Sequence, residues 1–234
     1  MDLRGAAVLI TGGSSGIGFE TARTLIASGA RVAITGRDEV KLRRAAEDLK
    51  AHGIVADASK PEDAARMVDD TIGAFGGFNV LINNAGLGHF APLTELDVAD
   101  FRRIMDTNVF GAMMAAQAAA RHFISAGKGG NIINIASTAG QRGFVGGTAY
   151  TATKFALSAM TECWRAELRT HGIRVMQVNP SEVVTDFQAR MGRRQQVNET
   201  KLRGAEIAHA IKAVLEMDDR GFITDLTVWA TNPK

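Results

Sequence analysis

Tyr150 and Lys154 are the residues whose types and spacing most directly indicate chemistry. They are one helical turn apart in a segment of small apolar residues, so their side chains should share one helix face. An ammonium beside a phenol favours the phenolate and lowers the phenol's pKa from its usual value of about 10. Tyr150 could then exchange a proton with an alcohol or a ketone. Ser137, which follows a predicted strand, could bond and orient the same oxygen.

A glycine-rich turn lies near the start of the chain, from Thr11 to Gly18. Glycines let backbone N–H groups approach a pyrophosphate, and the N-terminus of the following helix favours negative charge. The spacing is GxxxGxG, not GxGxxG, and no Lys-Ser/Thr pair follows the last glycine, which argues against a P-loop. Taken alone, the motif is also compatible with a tight turn that binds nothing.

The end of the second predicted strand bears on the choice of nucleotide. A carboxylate there would bond the adenosine ribose, whereas an arginine would accommodate a 2′-phosphate. Gly36 stands where the carboxylate is expected, and Arg37 follows with a planar fork suited to phosphate. NADP(H) is therefore predicted over NAD(H), although Asp38 could take over the ribose contact and Arg37 could be a solvated turn residue.

The hydrophobic pattern predicts the elements that position these residues, because it alternates between strands and helices. Strands are predicted over 6–10, 31–35, 53–56, 79–82, 131–135, 173–178 and 225–229, and helices over 16–28, 40–52, 61–75, 98–125, 149–171 and 205–217. The alternation predicts an α/β fold of the Rossmann type, a doubly wound, seven-stranded parallel sheet with helices on both faces. Ligands of such sheets bind outside the carboxyl ends of the strands.

Composition narrows the classes of function. The 234 residues carry a formal net charge of +2, with 46% hydrophobic and 22% charged residues. We expect one globular domain over 1–234, with no nucleic-acid or membrane partner and a cytoplasmic location. No Cys/His pattern indicates a metal site, and the single cysteine, Cys163, is expected to be a small buried hydrophobe within a helix.

Several motifs together resemble one family. The turn from Thr11 to Gly18, the run Asn83-Asn84-Ala85-Gly86, Asn108, Ser137 and the run from Tyr150 to Lys154 look like the short-chain dehydrogenase/reductase family in its compact single-domain form. The chain looks nearest to 3-oxoacyl-carrier-protein reductase-like ketoreductases. The resemblance implies hydride transfer between NADP(H) and a carbonyl or alcohol, with an NAD-dependent alcohol or sugar dehydrogenase as one alternative. A non-catalytic cofactor-binding sensor or scaffold is the alternative from another class.

The resemblance also implies roles for individual residues. Tyr150 would be the general acid/base, Lys154 would lower its pKa and bond the nicotinamide ribose, Ser137 would position the carbonyl, and Asn108 would hold a water of the proton relay. The implied cofactor contacts are Gly12, Ser14, Ser15, Gly16, Ile17, Gly18, Arg37, Asp57, Ala58, Asn84, Ala85, Gly86, Tyr150, Lys154, Pro180, Val183 and Thr185.

One position departs from the family pattern, and two larger features follow from the resemblance. Ser181 stands where the family usually has glycine, which would cost stability if the backbone there needs a positive φ. A polar substrate lid is expected over about 186–204, where Arg190, Arg193 and Arg194 would suit an acidic carrier, a phosphorylated substrate or simply solvent. The helices at 98–125 and 149–171 resemble the family's dimer contacts, so a homodimer or homotetramer is expected.

Overall fold

The computed structural model describes residues 1–185 and 200–232. Within them the strands are β1 (Ala7–Ile10), β2 (Arg31–Gly36), β3 (His52–Val55), β4 (Val80–Asn83), β5 (Gly130–Ile135), β6 (Ile173–Pro180), β7 (Val183–Val184), β8 (Leu202–Arg203) and β9 (Asp225–Val228). The α-helices are α1 (Gly16–Ala27), α2 (Glu39–Leu49), α3 (Pro61–Phe75), α4 (Val98–Met105), α5 (Ala112–Ala126), α6 (Thr148–Leu168) and α7 (Gly204–Glu216). Short 3₁₀ turns occupy Leu3–Gly5, Leu93–Glu95, Thr138–Gly140 and Arg169–His171, and a π-helical segment occupies Asp106–Gly111.

The main sheet is parallel and has the strand order β3-β2-β1-β4-β5-β6-β9. Strands β2 and β3 lie on one side of β1, and the chain then crosses to the other side of β1, where β4 begins the second half of the sheet. Val8 of β1, for example, pairs with Val32 of β2 on one side and with Val80 of β4 on the other. The order therefore reverses between β1 and β4, and such a reversal leaves a crevice at the carboxyl ends of the strands.

Both faces of the sheet are buried, which explains why its strands are apolar at successive positions. On one face Val8, Ile10 and Ile34 pack with residues of α1, α2 and α7, such as Leu25 and Ile207. On the other face Leu9, Leu81 and Ile132 pack with α3 and α5 through Met67 and Phe123. The predicted doubly wound, seven-stranded parallel sheet with helices on both faces is confirmed.

The long helix predicted over 98–125 is interrupted. Residues 106–111 adopt π-helical geometry between α4 and α5. Gly111, at the end of this segment, lies so close to the loop after β3 that a Cβ there would be 2.4 Å from the Ala58 carbonyl oxygen. A single widened turn does not change the hydrophobic periodicity of a helix enough to be predicted from it.

Other differences are small. The short parallel pair β7 and β8 was not predicted, and α2 ends three residues early because Lys50 adopts a left-handed conformation with a φ of 58°. Cys163 is exposed on α6, so the expectation that it is buried was wrong. No helix among the described residues is long and apolar enough to span a membrane, and those residues hold no cluster of His, Cys, Asp or Glu able to bind a metal ion.

Candidate active site

A cavity of about 840 Å³ opens at the carboxyl ends of the strands, where ligands of doubly wound sheets bind. Its walls come from the segments that follow β1, β2, β3, β4, β5, β6 and β9. It contains nearly all of the site residues predicted from the sequence: Gly12, Ser14, Ser15, Gly16, Ile17, Arg37, Asp57, Ala58, Asn84, Ala85, Gly86, Ser137, Tyr150, Lys154, Pro180, Val183 and Thr185. Gly18 and Asn108 do not form part of its walls.

The glycine-rich turn forms one wall and requires glycine for two reasons. Gly12 and Gly16 have φ angles of +67° and +57°, which side chains rarely adopt. A Cβ at Gly12 would also lie 2.9 Å from the Cα of Ala85, on the neighbouring segment. Helix α1 begins at Gly16, and its first N–H groups have no acceptor within the helix. The turn thus presents backbone donors and a helix N-terminus to the cavity, a combination that fits a pyrophosphate.

Thr11 holds this turn against the segment after β4, a role that the sequence reasoning missed. Its hydroxyl oxygen accepts hydrogen bonds from the backbone N–H groups of Asn84 and Ala85, both at 3.0 Å. The Asn84 amide in turn donates to the carbonyl oxygens of Thr11 and Gly12 at 3.0 Å. Gly18 serves the same packing, since a Cβ there would lie 2.5 Å from the Asn84 amide nitrogen.

The loops after β2 and β3 hold the residues predicted to contact the adenosine end of a nucleotide. One guanidinium nitrogen of Arg37 lies 3.9 Å from a carboxylate oxygen of Asp57. Asp57 accepts hydrogen bonds from the backbone N–H and the hydroxyl of Ser59, at 3.0 and 2.8 Å. Asp38 caps α2 by accepting the Lys41 N–H at 3.0 Å and does not line the cavity, which leaves Arg37 as the polar side chain after β2 that faces it.

Across the sheet, Ser137, Tyr150 and Lys154 come together as the sequence spacing predicted. The Ser137 side chain hydrogen-bonds that of Tyr150. The Lys154 ammonium donates to the Ile135 carbonyl oxygen at 2.8 Å and lies 5.7 Å from the centre of the Tyr150 ring. Helix α6 carries both Tyr150 and Lys154, and β5 ends just before Ser137, so two elements fix all three side chains.

The electrostatics of this group differ from the expectation in one respect. Burial raises the pKa of Tyr150 to about 12, and the hydrogen bond with Ser137 only partly opposes this. Burial also lowers the pKa of Lys154 to about 8. The expected lowering of the tyrosine pKa by its neighbouring ammonium is therefore absent here, because loss of solvation dominates and the ammonium is directed to the Ile135 carbonyl oxygen.

Asn108 lies behind the cavity wall, in the π-helical segment, and is 1% exposed. Its amide oxygen accepts the Leu87 N–H at 2.7 Å, and its amide nitrogen donates to the Leu87 carbonyl at 2.8 Å. The same nitrogen donates to the Thr153 hydroxyl at 3.0 Å, and that hydroxyl donates to the Tyr150 carbonyl at 2.7 Å. The Asn108 side chain thus ties the segment after β4 to the helix that carries Tyr150.

Ser181 lines the cavity without backbone strain. Among the described residues other than glycine, only Lys50 has a positive φ, so Ser181 does not occupy a conformation that requires glycine. Its N–H donates to the Val228 carbonyl at 2.9 Å. The departure from the family pattern at this position therefore leaves the backbone after β6 relaxed.

Part of the predicted lid, including Arg190, Arg193 and Arg194, lies outside the described residues. Lys201 from the C-terminal part of the lid lines the cavity and forms an ion pair with Glu182 at 2.6 Å. Sequence reasoning also missed four side chains that line the cavity, whose positions depend on loops that converge only in the fold: Phe90, Arg142, Phe144 and Trp229.

The sequence and fold were compared with those of known proteins. Residues 6–196 match the short chain dehydrogenase family. An uncharacterized oxidoreductase, YxnA, from Bacillus subtilis is 35% identical over 192 residues, which are 79% of this chain, and the match spans about half of that relative, 54%.

Solved structures of related proteins superpose over almost the whole chain. A 3-ketoacyl-(acyl-carrier-protein) reductase from Brucella melitensis complexed with NADH has a TM-score of 0.90 and 29% identity, over 98% of both chains. An alcohol dehydrogenase from Thermococcus sibiricus complexed with 5-hydroxy-NADP has a TM-score of 0.88 and 25% identity, over 98% of this chain and 99% of that one. Related proteins thus bind either nicotinamide nucleotide in this fold.

Proposed function

The chain belongs to the short-chain dehydrogenase family, and from that premise we propose that it is an NADP(H)-dependent oxidoreductase that interconverts a carbonyl compound and its alcohol. The observation that carries the proposal is the placement of Ser137, Tyr150 and Lys154 in the same cavity as the glycine-rich turn and Arg37. The cavity can hold a dinucleotide along the strand ends with its reactive end beside a proton donor.

Tyr150 acts as the general acid in the reducing direction. When bound, NADPH supplies the hydride that the carbonyl carbon accepts. The Tyr150 hydroxyl donates a proton to the carbonyl oxygen, which completes the alcohol, and its pKa of about 12 keeps that proton in place near neutral pH. Ser137 donates a hydrogen bond to the same oxygen and holds it beside Tyr150.

Lys154 and Asn108 support this proton transfer without contacting the carbonyl oxygen themselves. The Lys154 ammonium lies 5.7 Å from the centre of the Tyr150 ring, and its pKa of about 8 lets it supply a proton near neutral pH after Tyr150 has given up its own. Asn108 fixes helix α6 at the level of Tyr150 through Thr153. We assign Lys154 to the catalytic group and expect it to bond the nicotinamide ribose. We assign the Asn108 side chain to positioning and to holding the relay water that the family resemblance implies.

Arg37 supports NADP(H) as the nucleotide. Its guanidinium faces the cavity after β2, where a 2′-phosphate would lie, while Asp38 is engaged as a helix cap. One observation favours NAD(H) as a second candidate: the Asp57 carboxylate, 3.9 Å from Arg37, partly neutralises it and would repel a phosphate. A hydroxyl at the same place would meet no such repulsion.

Initial rates with both nucleotides test the proposal. Purified protein is assayed against a panel of ketones and aldehydes with NADPH and with NADH, and nucleotide oxidation is followed by fluorescence. We expect turnover with NADPH to exceed turnover with NADH. Faster rates with NADH would point to the second candidate, and tight nucleotide binding without reduction of any panel member would point to a non-catalytic sensor or scaffold.

We also propose that the working form is a homodimer built on the outer faces of α5 and α6. Phe110, Ile124 and Phe155 leave 49%, 42% and 45% of their surfaces exposed on or beside these helices. Large apolar side chains grouped on one side of a protein commonly mark an interface. A second copy of the chain would cover them through a twofold contact.

A further inference from the structure

Three aromatic side chains from separate segments line the cavity, and one of them, Phe90, contacts Tyr150. Phe90 follows β4, Phe144 follows β5 and Trp229 follows β9, and all three line the cavity. The Phe90 ring lies edge-on to Tyr150 with 5.5 Å between centroids, and Phe144 lies 5.6 Å from Phe90. Aromatic walls of this kind favour a flat ring, which can stack on one side chain while meeting the edge of another.

The segments that carry these walls are tied to one another. The Ala91 N–H donates to the Gly146 carbonyl at 3.0 Å, which joins the loop of Phe90 to the loop of Phe144. The Gln141 amide donates to the Thr227 hydroxyl at 3.3 Å, which joins the loop after β5 to the strand that ends before Trp229. These two hydrogen bonds link the segments that carry the three aromatic side chains.

Arg142 is the available cation at this end of the cavity. Its guanidinium lies 5.3 Å from the centre of the Trp229 ring, in a cation–π contact. The other cavity cations are engaged, Arg37 with Asp57 at 3.9 Å and Lys201 with Glu182 at 2.6 Å, while Lys154 donates to a backbone carbonyl. Among the described residues, no carboxylate lies within ion-pair distance of Arg142. Its planar fork matches a carboxylate with two parallel hydrogen bonds.

We propose that the substrate is a ketone with a ring and a carboxylate, or the corresponding alcohol. The ring lies among Phe90, Phe144 and Trp229, and the carboxylate pairs with Arg142. This inference rests on the proposed function and adds the class of substrate to it. The carbonyl carbon gains the hydride and its oxygen gains the Tyr150 proton, while the carboxylate is unchanged.

Three probe ketones separate the two recognition features. 4-Acetylbenzoate has the ring and the carboxylate, acetophenone has only the ring, and 5-oxohexanoate has only the carboxylate. We expect kcat/KM with NADPH to be highest for 4-acetylbenzoate. The advantage over acetophenone should be roughly 10- to 100-fold, the range for a charge-assisted hydrogen-bonded pair.

Two variants assign that advantage to named side chains. Arg142→Met should remove the advantage of 4-acetylbenzoate over acetophenone, while Arg44→Met, on the exposed side of α2, should keep it. Phe144→Ala should reduce the advantage over 5-oxohexanoate. Equal rates for 4-acetylbenzoate and acetophenone, an advantage that survives in Arg142→Met, or equal rates for 4-acetylbenzoate and 5-oxohexanoate would overturn the inference and leave the proposed function intact.

Calorimetry covers the case in which none of the three ketones is reduced. 4-Acetylbenzoate is titrated into the protein with NADP⁺ present, for the wild type and for Arg142→Met. Binding that depends on Arg142 without any turnover would retain the recognition site and contradict the proposed function. No binding to the wild type would overturn the inference itself.

Discussion

Burial sets the proton chemistry of the two central side chains in opposite ways. Lys154 is 6% exposed, and its pKa falls to about 8, while that of Tyr150 rises to about 12. Both shifts favour the uncharged form of the residue, as expected where solvation is lost. In the proposed reduction the pair therefore starts with the tyrosine protonated and the lysine able to give or take a proton.

The depressed pKa of Lys154 predicts how stability changes with pH when no nucleotide is bound. The folded protein releases this proton near pH 8, whereas the unfolded chain keeps it up to about 10.5. The unfolded state therefore binds more protons between these values, and the free energy of unfolding rises with pH. Relative to Lys154→Met, the wild type should gain about 2 to 3 kcal/mol between pH 7 and pH 10.

Urea unfolding of both proteins across this range measures the difference. Tyr150, with its raised pKa, lowers stability as it ionises in the unfolded chain near pH 10, but it is present in both proteins, so this effect cancels in their difference. A difference between wild type and Lys154→Met that stays constant with pH would show that the folded state does not depress the lysine pKa.

Arg37 is predicted to determine the preference for NADPH over NADH. Arg37→Ser should lower kcat/KM for NADPH by roughly 10- to 100-fold because a charge-assisted contact to the 2′-phosphate is lost. The value for NADH should change little. Arg44→Ser, which removes an exposed charge from the neighbouring helix, should leave both values unchanged. A retained preference for NADPH in Arg37→Ser would contradict the assignment.

The π-helical segment between α4 and α5 lies beside the cavity and contributes Thr107 to its wall. It buries Asn108 against the segment after β4 and places Gly111 against the loop after β3. One widened turn therefore connects Tyr150, through Thr153 and Asn108, with the wall that holds Leu87. π-Helical turns inside longer helices are frequent at functional sites.

A pair of glycine substitutions tests this close packing. Gly111→Ala should destabilise the protein by about 1 to 3 kcal/mol, because its Cβ would meet the Ala58 carbonyl and force the helix and the loop apart. Gly73→Ala in α3 has nothing within 4 Å and should instead stabilise by about 0.5 to 1 kcal/mol. Both are measured by urea unfolding. Similar effects of the two substitutions would contradict the tight contact at Gly111.

The elements also show what sequence can and cannot predict. Local patterns in the sequence were enough to predict the strands and helices, the glycine-rich turn after β1, and the placement of Tyr150 and Lys154 on one helix face. Phe90 and Trp229 line the cavity, and Thr11 braces its glycine-rich turn, only because strands distant in sequence end side by side in the sheet. Ser181 shows a further limit, since its residue type suggested strain that its backbone does not have.

At the scale of the whole molecule, the parallel sheet brings the ends of seven strands to one edge. Residues proposed to bind the cofactor, mostly from the first half of the chain, meet there with the residues proposed to react, from the second half, around the point where the strand order reverses between β1 and β4. Helix α6, which contributes Tyr150 and Lys154 to this edge, also carries Phe155, one of the exposed apolar side chains of the proposed dimer.

Replacing these exposed apolar residues by aspartate should dissociate the proposed dimer. Phe110→Asp and Phe155→Asp should each shift the protein from dimer to monomer in sedimentation velocity at micromolar concentration, because a carboxylate would be buried without a partner. Val40→Asp changes an exposed residue of α2, 64% exposed, and should leave the dimer intact. A dimer that persists in both phenylalanine variants would place the interface elsewhere.

Tyr150 is proposed to donate the proton at a nucleotide site that does not otherwise depend on its hydroxyl. Tyr150→Phe removes only that hydroxyl, and it is best assayed by NADPH-dependent reduction of whichever ketone the wild type turns over, beside the dissociation constant for NADPH. We expect kcat to fall by at least about 100-fold, the magnitude of lost general-acid catalysis, while the dissociation constant for NADPH stays within a few-fold of the wild-type value. Undiminished reduction by Tyr150→Phe would contradict this expectation.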